Sequence, residues 1–336
     1  MKIAINGFGR IGRAFLRSIL LDKKAKDTLD VVAINLGPSR DIRLDLLFKY
    51  DSIMKEFPGV VQFKDNVFTV DGKSIKVFTE ADPAKLPWKS LGIDWVVEAS
   101  GHFTSHQKAS MHLSAGCKKV LVTAPVTDAD VTIVPGVNDK AYDSNKHSII
   151  SLGSCTTNAF APMVKVINES FGIVNGMMTT VHAYTNDQVL LDVEHKDPRR
   201  ARAAAINIVP TKTGAAKVIF QVFPELTGKL DAVAIRVPVP VVSLIDFAFV
   251  ASNTSGKALT AQDINQAFLK YANGEMKNTL QYVTDPLVSS DFIGNMHSCI
   301  FDSLLTQAIG NVGKCFAWYD NEFGYSCRLK DFLLHN

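Results

Sequence analysis

Lys2-Ile3-Ala4-Ile5-Asn6-Gly7-Phe8-Gly9-Arg10-Ile11-Gly12-Arg13 opens a chain of 336 residues and decides its fold. Lys2 to Ile5 is a short apolar run that reads as a buried strand, and residues 14–20 carry apolar side chains at helical spacing. Between them Gly7, Gly9 and Gly12 form G-x-G-x-x-G, with strand before and helix after. Gly7 permits the tight turn, Gly9 lets the backbone approach a pyrophosphate, and Gly12 lets helix and strand pack closely. A second apolar run at residues 31–35 completes a βαβ unit of the length dinucleotide binding requires. Taken alone, the glycines also admit an ordinary glycine-rich turn.

Outward from this unit, short apolar runs at 95–99, 120–123 and 132–134 alternate with helical segments, the pattern of parallel strands joined by crossover helices. The pattern changes near residue 150. Longer strand-like runs follow at 176–182, 230–237 and 241–250, the last after the break Pro238-Val239-Pro240, and they suggest antiparallel sheet. Helical stretches at 156–171, 212–223 and 260–273 would cover one face. The expected fold is α/β: an N-terminal Rossmann-type parallel sheet domain over 1–152 and a second, α+β catalytic domain with antiparallel sheet over 153–317. Residues 318–336 return to the first domain, with 325–334 as a short strand or helix.

Composition narrows the function. A hydrophobic fraction of 47% with 21% charged residues is globular, and a net charge of +3 suits anionic small molecules while being too mild for a nucleic-acid binder. The five cysteines are odd in number and widely spaced, without C-x-x-C, so neither a disulfide framework nor a metal site is expected. Lys2 leads straight into the first strand, leaving no room for a signal peptide, and no apolar run reaches membrane-spanning length. A cytoplasmic protein is expected.

The second informative stretch is Ser154-Cys155-Thr156-Thr157-Asn158, followed by His182-Ala183-Tyr184-Thr185. A thiolate nucleophile needs a partner that lowers its pKa, and an imidazolium or a helix N-terminus does so. Residues 158–171 have near-helical apolar spacing and place Cys155 just ahead of a helix, whose free N–H groups favour negative charge on sulfur. Cys155 as a small buried hydrophobe, and His182 as a satisfied core histidine, are the competing readings.

These motifs, together with Lys49-Tyr50-Asp51-Ser52, Glu98-Ala99-Ser100-Gly101, Arg199-Arg200-Ala201-Arg202, Thr213-Gly214-Ala215-Ala216-Lys217, Arg236-Val237-Pro238 and Trp318-Tyr319-Asp320-Asn321-Glu322, resemble the phosphorylating glyceraldehyde-3-phosphate dehydrogenase family from residue 2 to about 330. The resemblance implies a glycolytic and gluconeogenic oxidoreductase that converts glyceraldehyde 3-phosphate and inorganic phosphate to 1,3-bisphosphoglycerate. Cys155 would form the hemithioacetal and thioester, with His182 as ion-pair partner and base. Thr185 and Arg236 would hold the substrate's phosphate, and Ser154, Thr156, Thr213, Gly214 and Arg200 the attacking phosphate; hydroxyls, an amide and guanidinium forks suit that task. Arg199 and Arg202 also fit a solvated basic loop or a subunit contact. Gly7, Phe8, Gly9, Arg10, Ile11 and Gly12 would surround the cofactor's pyrophosphate. Asn35 and Leu36 would lie at its adenosine end, Ser100, Gly101 and Thr123 along the ribose and nicotinamide side, and Asn321 and Tyr325 at the nicotinamide. A homotetramer is implied, built through the second-domain sheet and the 186–202 loop.

The chain departs from that pattern where cofactor choice is decided. A carboxylate normally follows the asparagine at Asn35 and bonds the ribose 2′-OH; here Leu36-Gly37-Pro38-Ser39-Arg40 stands instead. Its loss removes a repulsion against a 2′-phosphate, for which Ser39 or Arg40 offers donors, so NADP or dual use is favoured over strict NAD. Leu36 packing under adenine with NAD retained is the alternative. Ala81 replaces a usual arginine near the adenine pocket, and Val193-Glu194 a usual Leu-Pro. Ala159 replaces a second cysteine, so Cys155 is expected to resist reversible intramolecular disulfide formation. Gly153, Lys212 and Phe323 also differ, without removing a group the chemistry needs. Erythrose-4-phosphate dehydrogenase shares nearly all these motifs, and a semialdehyde dehydrogenase or a non-catalytic dinucleotide- or RNA-binding protein is the more distant alternative.

Overall fold

The structure, a computed structural model, describes residues 1–38, 43–252 and 257–336. They form two compact units: residues 1–133, 140–153 and 326–336 make the first, and residues 134–139 and 154–325 the second.

The first unit is built on a sheet of nine strands among the described residues. Their spatial order is Val61–Lys64, Val67–Val70, Lys73–Phe78, Asp30–Asn35, Lys2–Asn6, Trp95–Glu98, Lys119–Val122, Ile149–Ser151, Val131–Thr132. From Lys73–Phe78 onward every neighbouring pair is parallel. Ile3, Ala4, Ile5, Val96 and Val97 are fully buried, as expected of parallel strands covered on both faces. The chain runs from Lys2–Asn6 to Asp30–Asn35 on one side and reaches Trp95–Glu98 on the other. The order therefore reverses at Lys2–Asn6, and such a switch point is where open α/β sheets bind ligands.

The glycine turn is sterically obligatory at two positions. Gly7 has φ +90°, and a Cβ there would overlap the Ser100 backbone; a Cβ on Gly12 would overlap the Gly7 carbonyl. The helix Arg10–Leu20 that follows buries Ala14, Phe15, Leu16 and Ile19. At the other end of the chain lies the helix Phe323–His335, where Lys330 donates to Asp22 at 2.5 Å.

Alternating parallel strands do not describe the edge of this sheet. Val61–Lys64, Val67–Val70 and Lys73–Phe78 form an antiparallel meander, turned by Asp65-Asn66 (φ 51° and 58°) and Asp71-Gly72 (φ 50° and 81°). Two-residue loops with positive φ are those whose twist matches a hairpin.

The second unit carries a seven-stranded sheet in the order Val209–Lys212, Leu230–Val237, Ile173–Ala183, Ser243–Ala251, Val312–Tyr319, Cys299–Ile309, Leu280–Val283. It is mostly antiparallel, with two parallel pairings: Ile173–Ala183 with Leu230–Val237, and Leu280–Val283 with Cys299–Ile309. The first arises because a long connection containing the helix Ala215–Val222 separates the two strands, and parallel neighbours require such a crossover. Helices Cys155–Phe171, Ala215–Val222 and Ala261–Asn273 supply one side of the core, where Phe160 meets Phe247 edge-on with centroids 4.8 Å apart. Burying each such phenylalanine contributes about 1.5–3 kcal/mol. No helix among the described residues is long and apolar enough to cross a membrane.

Gly9 separates packing from ligand approach, since a Cβ there would meet nothing within 4 Å. Gly12→Ala should cost about 1–3 kcal/mol through overpacking and lower the calorimetric melting temperature. Gly9→Ala should leave that temperature unchanged while weakening dinucleotide binding, as a titration of each variant would reveal.

Candidate active site

Cys155 begins the helix Cys155–Phe171 rather than preceding it, with Ser154 as N-cap. The Ser154 hydroxyl accepts from the Thr157 N–H at 3.1 Å and lies 2.9 Å from the Thr157 hydroxyl, while the Asn158 N–H makes the helical bond to the Ser154 carbonyl. That leaves the first-turn amides of Cys155 and Thr156 near the sulfur, where they lower the thiol pKa.

His182 reaches the sulfur from the neighbouring sheet, its Nε2 standing 3.5 Å from Cys155 Sγ. Its Nδ1 lies 2.6 Å from the Ala183 carbonyl oxygen. Nδ1 also lies 2.9 Å from Arg236 Nη1, so a carbonyl oxygen and a guanidinium donor meet at one ring nitrogen while Nε2 faces the thiol. Arg236, the register partner of His182 on the parallel strand, donates to the same carbonyl at 2.9 Å and to the Thr185 hydroxyl at 3.3 Å. Its Nε is buried without a partner, an unmet donor of the kind an anion satisfies.

Burial and the Arg236 charge reinforce each other on His182 and oppose each other on Cys155. Burial, then the Arg236 charge, pulls His182 down to about 3, so the imidazole is a neutral base at physiological pH. Burial pushes the Cys155 thiol up, while Arg236 and the first-turn amides pull against it. Passing the thiol proton to Nε2 leaves the pair neutral overall, so it escapes much of the cost of burying a lone charge.

The other expected anion ligands fall differently. The Arg200 guanidinium is bonded to Asp187, to the Thr211 hydroxyl at 3.0 Å and to the Lys212 carbonyl at 3.3 Å, so an incoming phosphate must compete with a carboxylate. Thr213 and Gly214 are accessible where the helix Ala215–Val222 begins, with Gly214 as N-cap. The Thr156 side chain is buried, with its hydroxyl 2.9 Å from the Tyr319 hydroxyl. Tyr319 also meets Thr180 at 2.7 Å and the His182 ring edge-on at 5.9 Å. Sequence reasoning missed Tyr319, Thr180 and Asp187 as site residues, although Tyr319 lies inside a motif it singled out. Their spacing along the chain carries no sign of these contacts. Asn321 is buried and accepts from Ser243 at 3.2 Å, and burial raises the Tyr325 phenol.

In the first unit, the helix Arg10–Leu20 starts at Gly9 without a side-chain cap, and a helix N-terminus favours an anion. The turn that a Cβ at Gly7 or Gly12 would close fits a pyrophosphate-bearing cofactor. Arg10 is tied to Asp51 at 2.5 Å, and the Phe8 ring is buried between Phe48 and Phe68, leaving its backbone to serve. The Asn35 amide is spent on structure: Nδ2 donates to the Asn6 side chain and the Glu80 carbonyl, and Oδ1 accepts from the Glu80 N–H. Leu36 is half-buried and its N–H bonds the Phe78 carbonyl. Ser100 and Thr123 are half-buried, Gly101 is exposed, and Ser39 and Arg40 lie outside the described residues. None of the five cysteines is in a disulfide, and Ala159 is fully buried on the helix that Cys155 begins.

Comparison with known proteins identifies the family. Residues 1–106 match the family model described as glyceraldehyde 3-phosphate dehydrogenase, NAD binding domain, and residues 154–321 match its C-terminal domain. The chain is 49% identical over 333 residues to glyceraldehyde-3-phosphate dehydrogenase 2 of Streptomyces avermitilis, covering 98% of this chain and 97% of the relative. It is 50% identical over 332 residues to the Kitasatospora aureofaciens enzyme, covering 99% and 98%. The Arabidopsis thaliana chloroplastic protein GAPB is 50% identical over 334 residues, covering 98% of this chain and 73% of that one.

Arg236 stabilises the thiolate electrostatically, so Arg236→Gln should raise the thiol pKa. The rate of Cys155 alkylation by iodoacetamide, followed against pH, should shift to higher pH in this variant. Arg236→Lys, which keeps a charge, should shift less; an unmoved Arg236→Gln profile contradicts the assignment.

Proposed function

Because the chain belongs to the glyceraldehyde-3-phosphate dehydrogenase family, we propose that it catalyses the reversible, phosphorylating oxidation of glyceraldehyde 3-phosphate to 1,3-bisphosphoglycerate. The observation that carries this reading is the Cys155–His182 pair at 3.5 Å, at a helix N-terminus and beside Arg236. We assign the first unit to dinucleotide binding and the second to catalysis. Cys155 Sγ attacks the aldehyde carbon as Nε2 of His182 takes the thiol proton and passes it to the aldehyde oxygen, giving a hemithioacetal and a neutral His182. His182 then serves as base toward the hemithioacetal hydroxyl as the thioester forms. NAD or NADP, when bound, supplies the acceptor for the aldehyde's hydride. Inorganic phosphate attacks the thioester, the acyl–sulfur bond breaks, and the acyl phosphate leaves Cys155 free. Arg236 and Thr185 hold the substrate's phosphate. Arg200, Thr213, Gly214 and Ser154 serve the attacking one, with Thr156 acting through its buried contact to Tyr319.

The lack of a carboxylate after Asn35 supports NADP or dual use. Assembly into a homotetramer is supported by the apolar surface the chain exposes: Val174 and Met177 on the sheet, and Leu190, Leu191, Ile206 and Ile208 between the strands that carry His182 and Thr211. Light scattering should give a mass about four times 36.7 kDa. A cytoplasmic location fits cysteines that form no disulfide.

The test is aldehyde-dependent reduction of NAD and NADP with and without phosphate. Turnover of glyceraldehyde 3-phosphate should require phosphate, and Cys155→Ser should lose on the order of 10⁴-fold or more while still binding nucleotide. Phosphate-independent turnover of erythrose 4-phosphate in preference would replace the reading. Leu36→Asp should weaken NADP about tenfold or more through like-charge repulsion and spare NAD; equal binding of NADP by both proteins removes Leu36 from cofactor choice.

A further inference from the structure

A chain of buried polar side chains ends beneath the glycine turn and takes no part in the chemistry above. Glu98 closes the strand Trp95–Glu98 and is 1% exposed, a costly place for a carboxylate unless donors surround it. Four do. Its Oε1 accepts from the Ser100 N–H at 2.7 Å and the Ser100 hydroxyl at 2.5 Å; its Oε2 accepts from Asn6 Nδ2 at 2.5 Å and His112 Nε2 at 3.0 Å. Asn6 in turn accepts from Asn35 at 2.7 Å. Glu98 thus ties the last residue of the strand Lys2–Asn6 to the loop after Trp95–Glu98, and Gly7 lies against the backbone of Ser100.

The fourth donor comes from His112, fully buried on the helix His106–Ser114, and its protonation pattern is set from outside the turn. The indole N–H of Trp88 points at His112 Nδ1 at 3.1 Å. Indole nitrogen only donates, so Nδ1 must accept and the ring's proton must sit on Nε2, facing Glu98. An imidazolium would oppose two N–H groups across that contact.

We propose that His112, locked as the Nε2–H tautomer by Trp88, is a positioning residue for dinucleotide binding: it completes the donor set of Glu98, which holds Ser100 and Asn6 where the Gly7–Gly12 turn requires them. This rests on the reading of the first unit as dinucleotide-binding. Nitrogen-15 histidine spectra of the nucleotide-free full chain should show His112 protonated at Nε2 alone. Titration with NAD and NADP should show His112→Leu binding about tenfold more weakly, the loss expected of one hydrogen bond to a charged group. Its KM for the nucleotide should rise with kcat little changed. His112→Gln, whose amide can donate from the position of Nε2, should recover most of the affinity, and Trp88→Phe should populate both tautomers with an intermediate loss. An Nδ1–H tautomer in the wild type, or His112→Leu binding both nucleotides as the wild type does, overturns the proposal. Failure of the dehydrogenase reading would look different: a wild-type chain without aldehyde turnover, whatever the His112 variants do.

Discussion

Parallel pairing of Ile173–Ala183 with Leu230–Val237 is the constraint on which the second unit's chemistry depends, because it sets His182 and Arg236 side by side in register. From there one guanidinium acts on two groups with opposite sign. It disfavours a charged imidazole and favours a charged sulfur, so His182 stays a base and Cys155 is helped toward thiolate. Neither effect requires Arg236 to touch the sulfur. The helix N-terminus adds its amides to the same side of the balance, since a helix beginning at Cys155 has no intrahelical acceptor for them.

Polar burial in the first unit follows a similar economy. Parallel strands covered on both faces have apolar interiors, and Glu98, Asn6 and Asn35 are buried only where those strands end. Each is bonded to another member of the set or to backbone, so the desolvation cost of one is met by the donors of the next. A network of this kind ties the turn after Lys2–Asn6 to the loop after Trp95–Glu98 more firmly than apolar packing would, because a hydrogen bond fixes direction as well as distance.

Tyr319 shows how a residue inside a recognisable motif acquires its part only in three dimensions. It is fully buried, its hydroxyl is shared by Thr156 and Thr180, and its ring supports His182. Thr156 therefore faces the core from the first turn of the Cys155 helix, and Ser154, two residues earlier, caps it. Arg200 is likewise held by Asp187 and Thr211, so anion binding there is an exchange of partners.

The glycine turn, the helix behind Cys155 and the change from parallel to mostly antiparallel sheet were all legible in the sequence, because each depends on neighbours within a few residues: positive φ, helical spacing, strand length. The Asp65-Asn66 and Asp71-Gly72 hairpins were equally local and were overlooked within an alternating α/β reading. Contacts at long separation were not legible. His112 reaches Glu98 and Trp88 across helix and strand, Asn35 spends its amide on Glu80, and Tyr319 meets Thr156 from a strand remote in sequence. By itself the sequence determined which groups are available and which backbone turns they ride on. Only the tertiary structure decided which donor faces which acceptor, because that choice is made by strand register and helix packing, and no periodicity along the chain records it.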